Sequence, residues 1–205
     1  MPNGASPEPI EIAESANYSP EPEPMQPRMS VSESWSCLDA WLLSTPESIP
    51  GGLKPGADGD EIVILEGALG VKLPDELIAS LKTHNGQANQ HGVCFFDETL
   101  LDVKGILSEW TCWRNLVVEG VFEGVTSDPD SGVKDDWYNL KWVPLTKDGM
   151  GNSVCLDLDP APGGVCGQVI RVWHDDDRRE RVAASYGEWL QWMVMERTDF
   201  EPQRE

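Results

Sequence analysis

The residue types able to do chemistry are few and scattered. The histidines are His84, His91 and His174 alone. Hydrolases and transferases need a nucleophile beside a base, or paired carboxylates in a defined pocket. Here no Ser sits in a G-x-S-x-G turn, and no H-E-x-x-H pair or phosphate-cradling glycine loop ahead of a helix occurs. Asp148-Gly149-Met150-Gly151-Asn152 lacks the lysine of a P-loop and reads as a hairpin turn. Two acidic clusters, Asp157-x-Asp159 and His174-Asp175-Asp176-Asp177, offer the oxygen ligands that Ca²⁺ or Mg²⁺ prefers. Neither has EF-hand spacing, and both adjoin turn residues or arginines, so both read as solvated turns. No catalytic, cofactor-binding or metal-binding residue is assigned. A small enzyme would need one of the histidines and a carboxylate gathered in a single pocket.

The five cysteines (Cys37, Cys94, Cys112, Cys155, Cys166) are odd in number and never form C-x-x-C. They read as reduced, mostly buried thiols; Cys155 and Cys166 could face each other across a hairpin. The chain lacks both an apolar run of transmembrane length and the basic, then apolar, start of a secretory signal, so the expected address is cytoplasmic.

Over 205 residues, 15 Lys+Arg against 36 Asp+Glu give a formal charge of −21. Such a surface repels phosphate backbones and anionic lipid, which argues against nucleic acid or a membrane as partner and favours a basic protein. Nine tryptophans can fill a core or anchor an interface.

Residues 1–33 hold seven of the 16 prolines and six glutamates against Arg28 alone, and read as a disordered acidic tail ahead of a domain at 34–205. Ser34 is expected to cap a helix burying Trp35, Leu38, Trp41 and Leu42. Asp58 with Glu61 opens a second helix, and Pro74 starts a third that ends near Asn85-Gly86. Val93–Phe96 reads as a strand. Val103 to Val117 has helical periodicity, and 118–138 reads as an acidic loop. Strands follow at 142–145, 152–158, 168–174 and 181–183, and Ser185-x-x-Glu188 opens a final helix through Tyr186, Trp189, Leu190, Met193 and Val194. Trp35, Trp110, Trp142 and Trp189 fall on apolar faces, whereas Trp113, Trp137 and Trp173 read as partly exposed. The order predicts an α+β fold, a mostly antiparallel sheet with helices packed on one face, in a single domain.

Several segments taken together resemble the SUKH superfamily, whose founding members are the yeast Smi/Knr cell-wall regulators. They include Trp41-Leu42, Leu53-Lys54-Pro55-Gly56, Leu69-Gly70-Val71-x-Leu73-Pro74 and His84-Asn85-Gly86-Gln87. In the second half the matching segments are Trp142-Val143-Pro144-Leu145, Asp148-Gly149-x-Gly151-Asn152, Cys155-Leu156-Asp157-Leu158-Asp159-Pro160 and Gly167-Gln168-Val169-Ile170. The resemblance covers about residues 34–195 and implies a non-enzymatic binding role, with no shared catalytic residues and no cofactor. Bacterial members are mostly immunity proteins that act as antitoxins in interbacterial competition, and the compact length looks like theirs. On this reading the expected function is to bind a cognate toxin, basic and either a nuclease or a nucleotide-using enzyme, and to occlude its active site. The expected contact residues are Asp128, Asp130, Asp135, Asp136, Trp137 and Tyr138, with Trp113 as a further anchor: carboxylates would speed encounter and aromatic side chains would slow dissociation. The alternative is a regulatory or scaffold protein like the yeast members, docking through the Pro/Glu tail.

Overall fold

The computed structural model describes residues 29–48, 51–88 and 98–198. The expected strand at 93–96 and His91 lie outside these residues. The fold is mixed α+β, as expected. Helix α1 (Val31–Ser44) leads through a short 3-10 turn at Pro46–Ser48 to strand β1 (Leu53–Pro55), then α2 (Gly59–Leu69), α3 (Asp75–Thr83) and β2 (His84–Gln87). Strand β3 (Thr99–Leu100), α4 (Val103–Val118) and β4 (Asp128–Pro129) follow. The chain continues through β5 (Trp142–Pro144), β6 (Thr146–Lys147), β7 (Ser153–Asp157), β8 (Gln168–Val172), β9 (Arg178–Ala183) and α5 (Tyr186–Arg197).

Helix α1 starts one turn earlier than Ser34 suggests. Ser30 is its cap: the Ser30 hydroxyl accepts from Glu33 N, and the Glu33 carboxylate accepts from Ser30 N at 2.8 Å. Ser34 is instead fully buried inside the helix, and Val31 belongs to the core. Met29 N donates to Gln191 Oε1 of α5 at 2.9 Å, so residues 29–33 are part of the fold rather than of a tail. Asp58 and Glu61 form the expected reciprocal cap of α2. Helix α3 stops at Thr83 because His84–Gln87 pairs antiparallel with Leu53–Pro55, a long-range contact that local propensity does not encode. At α5 the Ser185 hydroxyl accepts from Glu188 N, while Glu188 reaches one residue further back, to Ala184 N at 2.8 Å.

The main sheet runs β4-β9-β8-β7-β5, antiparallel except that β4 lies parallel to β9. Alternation along β7 splits its side chains between two layers. Val154 and Leu156 join Trp35, Leu38, Leu65, Leu77, Ile106 and Trp189 in the larger core beneath the helices. Cys155 points the other way, into a second core with Ile170, Val172, Trp113, Val133, Tyr138 and Trp142. The sheet is therefore covered on both faces. The expectation of helices on one face only is corrected by the end of α4 and the chain after it, which bring an aromatic layer to the other side. Cys155 and Cys166 do not pair: the first is buried in this layer and the second is exposed, and with Cys112 exposed and Cys37 half-buried the expectation of mostly buried thiols is corrected for the described cysteines.

Candidate partner-binding surfaces

The expected contact residues separate into two groups. Asp128, Asp130 and Asp135 are exposed, and Asp136 and Trp137 are half-buried. Trp113 and Tyr138 are only 6% and 5% exposed. Their rings stack on each other with centroids 4.6 Å apart and planes 3° from parallel, and Tyr138 meets Trp142 edge-on at 5.8 Å. Expecting these two aromatic side chains to anchor a partner is therefore wrong: the second core has consumed them. Burial also pushes the Tyr138 hydroxyl well above its ordinary pKa.

The acidic residues that stay outside are fixed by backbone. Asp128 lies in β4, its N–H donating to Asp177 O at 2.8 Å, and the Asp130 carboxylate accepts from Arg181 N at 2.8 Å. Asp136 accepts from Asn139 Nδ2 at 2.7 Å. Between β4 and β9 lies a polar hollow of about 340 Å³ lined by Asp128, Pro129, Asp130, Arg178, Arg179 and Glu180. It is not a uniform anionic belt, because β4 is registered against the arginines of β9.

Arg179 holds this region together and had no sequence signal beyond its type. Its residue is fully buried, yet its hydrogen bonds go to backbone carbonyls: Nη1 to Asp176 O (2.8 Å) and Arg178 O (2.6 Å), Nη2 to Trp137 O (2.7 Å). The guanidinium carbon sits 4.9 Å from the Trp137 ring centroid. One side chain thus ties the loop bearing Asp135, Asp136 and Trp137 to β9.

The expected solvated turn at Asp157 is corrected as well. Asp157 is fully buried, and its carboxylate accepts from Asp159 N (2.9 Å) and Gln168 Nε2 (2.8 Å); burial raises its pKa. Asp159 faces outward, where its contact with Lys134 at 2.6 Å lowers its own pKa. Glu98 is a second buried acid, raised by burial despite its contacts with Thr146 and Arg171. No group of three or more His, Cys, Asp or Glu side chains among the described residues is arranged to hold a metal ion.

A groove of about 500 Å³ between α1 and β1 gathers a histidine–carboxylate pair of the kind that enzyme chemistry would require. Its lining includes Asp39, Leu42, Leu43, Leu53 and His84. His84 Nε2 approaches Asp39 Oδ1 at 2.9 Å, while Nδ1 faces Lys54 O at 3.4 Å. In a hydrolytic triad the carboxylate holds one ring nitrogen so that the other is free to act as base. Here the carboxylate lies against Nε2, and Nδ1 faces a backbone carbonyl, with no nucleophilic side chain lining the groove among the described residues. His174, on the hairpin side, contacts Asn152 Oδ1 at 3.1 Å and lies exposed. The rest of the groove is apolar, the character of a binding surface.

The model of the SMI1/KNR4 family (SUKH-1) matches residues 56–192. The chain belongs to that family. A fission yeast protein, "Cell wall biosynthesis/cell cycle regulator smi1", is 31% identical over 92% of this chain and 42% of its own length. The "Glucan synthesis regulatory protein" of Neurospora crassa is 25% identical over 78% of the chain and 37% of its own. "Cell wall assembly regulator SMI1" of Saccharomyces cerevisiae is 23% identical over 77% and 38%. The chain thus spans about two fifths of the length of these relatives.

These names overturn the immunity reading. SMI1/KNR4 relatives of this chain are fungal regulators, and the expectations of an antitoxin, a cognate toxin and interbacterial competition fall with it. The inference failed because compact length and negative charge describe a class of partner, a basic one, without saying which protein carries it.

Proposed function

We propose that this chain is a non-catalytic regulatory module that acts on cell-wall or glucan synthesis by binding partner proteins in the cytoplasm. The observation that carries this reading is the likeness to the fission yeast regulator along 92% of the chain. The groove supports it, since its lining is apolar apart from the Asp39–His84 pair. No helix among the described residues is long and apolar enough to cross a membrane. The net charge of −21 favours a basic partner over nucleic acid or lipid.

The test is genetic and chemical. Deleting the chain from cells that carry it is expected to change wall glucan content and sensitivity to a wall-digesting glucanase. Unaltered glucan and unaltered sensitivity would overturn the proposal.

A further inference from the structure

Near the end of α4 four apolar side chains stay outside: Leu116, Val118, Val121 and Val125 are 37%, 66%, 53% and 43% exposed. The sequence there repeats a unit, Glu119-Gly120-Val121 and Glu123-Gly124-Val125, at a spacing of four. Both glycines are left-handed, with φ of 74° and 76°, and each closes a tight turn. Val121 N donates to Leu116 O, Glu123 N to Gly120 O and Val125 N to Phe122 O, at 3.0–3.1 Å. Between the two valines Phe122 goes inward, its centroid 5.9 Å from Trp113 and 6.2 Å from Trp137. The aromatic layer thus fixes the two turns with their valines in solvent. Exposed turns favour polar residues, and the fold has no evident use for branched apolar ones here.

The rim of this patch is anionic. Glu119 and Glu123 are exposed within the turns, and Asp135 is brought alongside by the Ser127 N–Asp135 O bond at 2.8 Å. Thr126 pairs across to Asp136. Of the cations nearby in sequence, Lys134 is engaged by Asp159 and the Arg114 guanidinium lies toward Trp110, 5.9 Å from its centroid. We propose that the tandem Glu-Gly-Val turns are a docking surface for a basic amphipathic segment of a partner protein. Apolar side chains of that segment cover Val118, Val121 and Val125, while its lysines or arginines meet Glu119, Glu123 and Asp135. The inference rests on the chain acting through partners and names the surface and the chemistry of what it holds.

The experiment uses the full chain and three synthetic helical peptides: one with leucines on one face and lysines on the other, one with its leucines replaced by serine, and one with its lysines replaced by glutamate. Fluorescence anisotropy is expected to show binding of the first peptide alone, with hydrogen-exchange protection at 116–126. The double substitution Val121→Ser/Val125→Ser is expected to weaken it about tenfold, as for loss of central apolar contacts. Glu119→Gln/Glu123→Gln is expected to weaken it and to flatten its salt dependence. Equal binding by the serine peptide, an unaffected valine variant, protection elsewhere or no binding at all would each overturn the inference. A valine variant that still supports wall synthesis in cells would overturn this surface while leaving the regulatory function standing.

Discussion

Replacing Arg179 by methionine tests how the candidate surface is held. The substitution keeps most of the aliphatic stem and removes the guanidinium. The carbonyls of Trp137, Asp176 and Arg178 then lose their donor, and the Trp137 ring loses the cation 4.9 Å from its centroid. Each of these part-buried carbonyls left without a donor costs roughly 1 kcal/mol, and the cation–π contact is worth about 0.5–1 kcal/mol. Relief of the burial cost of the charge, which lowers the Arg179 pKa, offsets part of this. The net expectation is about 2–4 kcal/mol of destabilisation, read by urea unfolding followed through tryptophan emission. Hydrogen exchange should quicken first around Trp137, whose carbonyl loses its bonds to β9, while Asp128 and Asp130 keep theirs. Lysine at the same position keeps a charge but lacks the planar fork, so it should fall between wild type and methionine. A loss below about 0.5 kcal/mol, or exchange rising uniformly over the molecule, would refute the reasoning that Arg179 positions the loop.

Three further perturbations probe other parts of the account. Glu109→Gln should stabilise the protein at pH 7, because burial raises the Glu109 pKa in the folded state; the gain should shrink as pH falls through that raised pKa and vanish below the ordinary glutamate value, which thermal melts across pH would show. Gly86→Ala should cost about 3 kcal/mol or more, since φ is +70° and a Cβ would stand 2.4 Å from Asp102 N; chemical denaturation measures it. Trp35→Phe removes the 2.8 Å bond from Nε1 to Ser80 Oγ, whose oxygen lies 2.5 Å from the Tyr186 hydroxyl, and should lower stability by about 1–3 kcal/mol in the same assay.

What could be read from the residues follows from which signals are local. The capping residues Asp58 and Ser185, the periodicity of α4 and α5 and the hairpin strands β7 and β8 declare themselves within a few positions. The strand at His84–Gln87 does not, because its partner lies some thirty residues earlier in the chain. The second core was illegible for a related reason: Tyr138 comes from a loop with no apolar period, so its burial against Trp113 follows only from the tertiary fold. Asp157 looked like a turn carboxylate because it adjoins Asp159 and Pro160. Its alternation with Cys155 across β7 was the available signal that it shares the covered face. The exposed valines were hidden by the opposite bias, since apolar residues are read as interior unless the structure leaves them outside.

The most direct measurement of the central claim is growth under cell-wall stress of fission yeast whose Smi1 regulator carries this chain in place of the region it matches. The account predicts growth close to that of unaltered cells. A hybrid protein that is stably produced yet leaves the cells as sensitive as those lacking the regulator would contradict it.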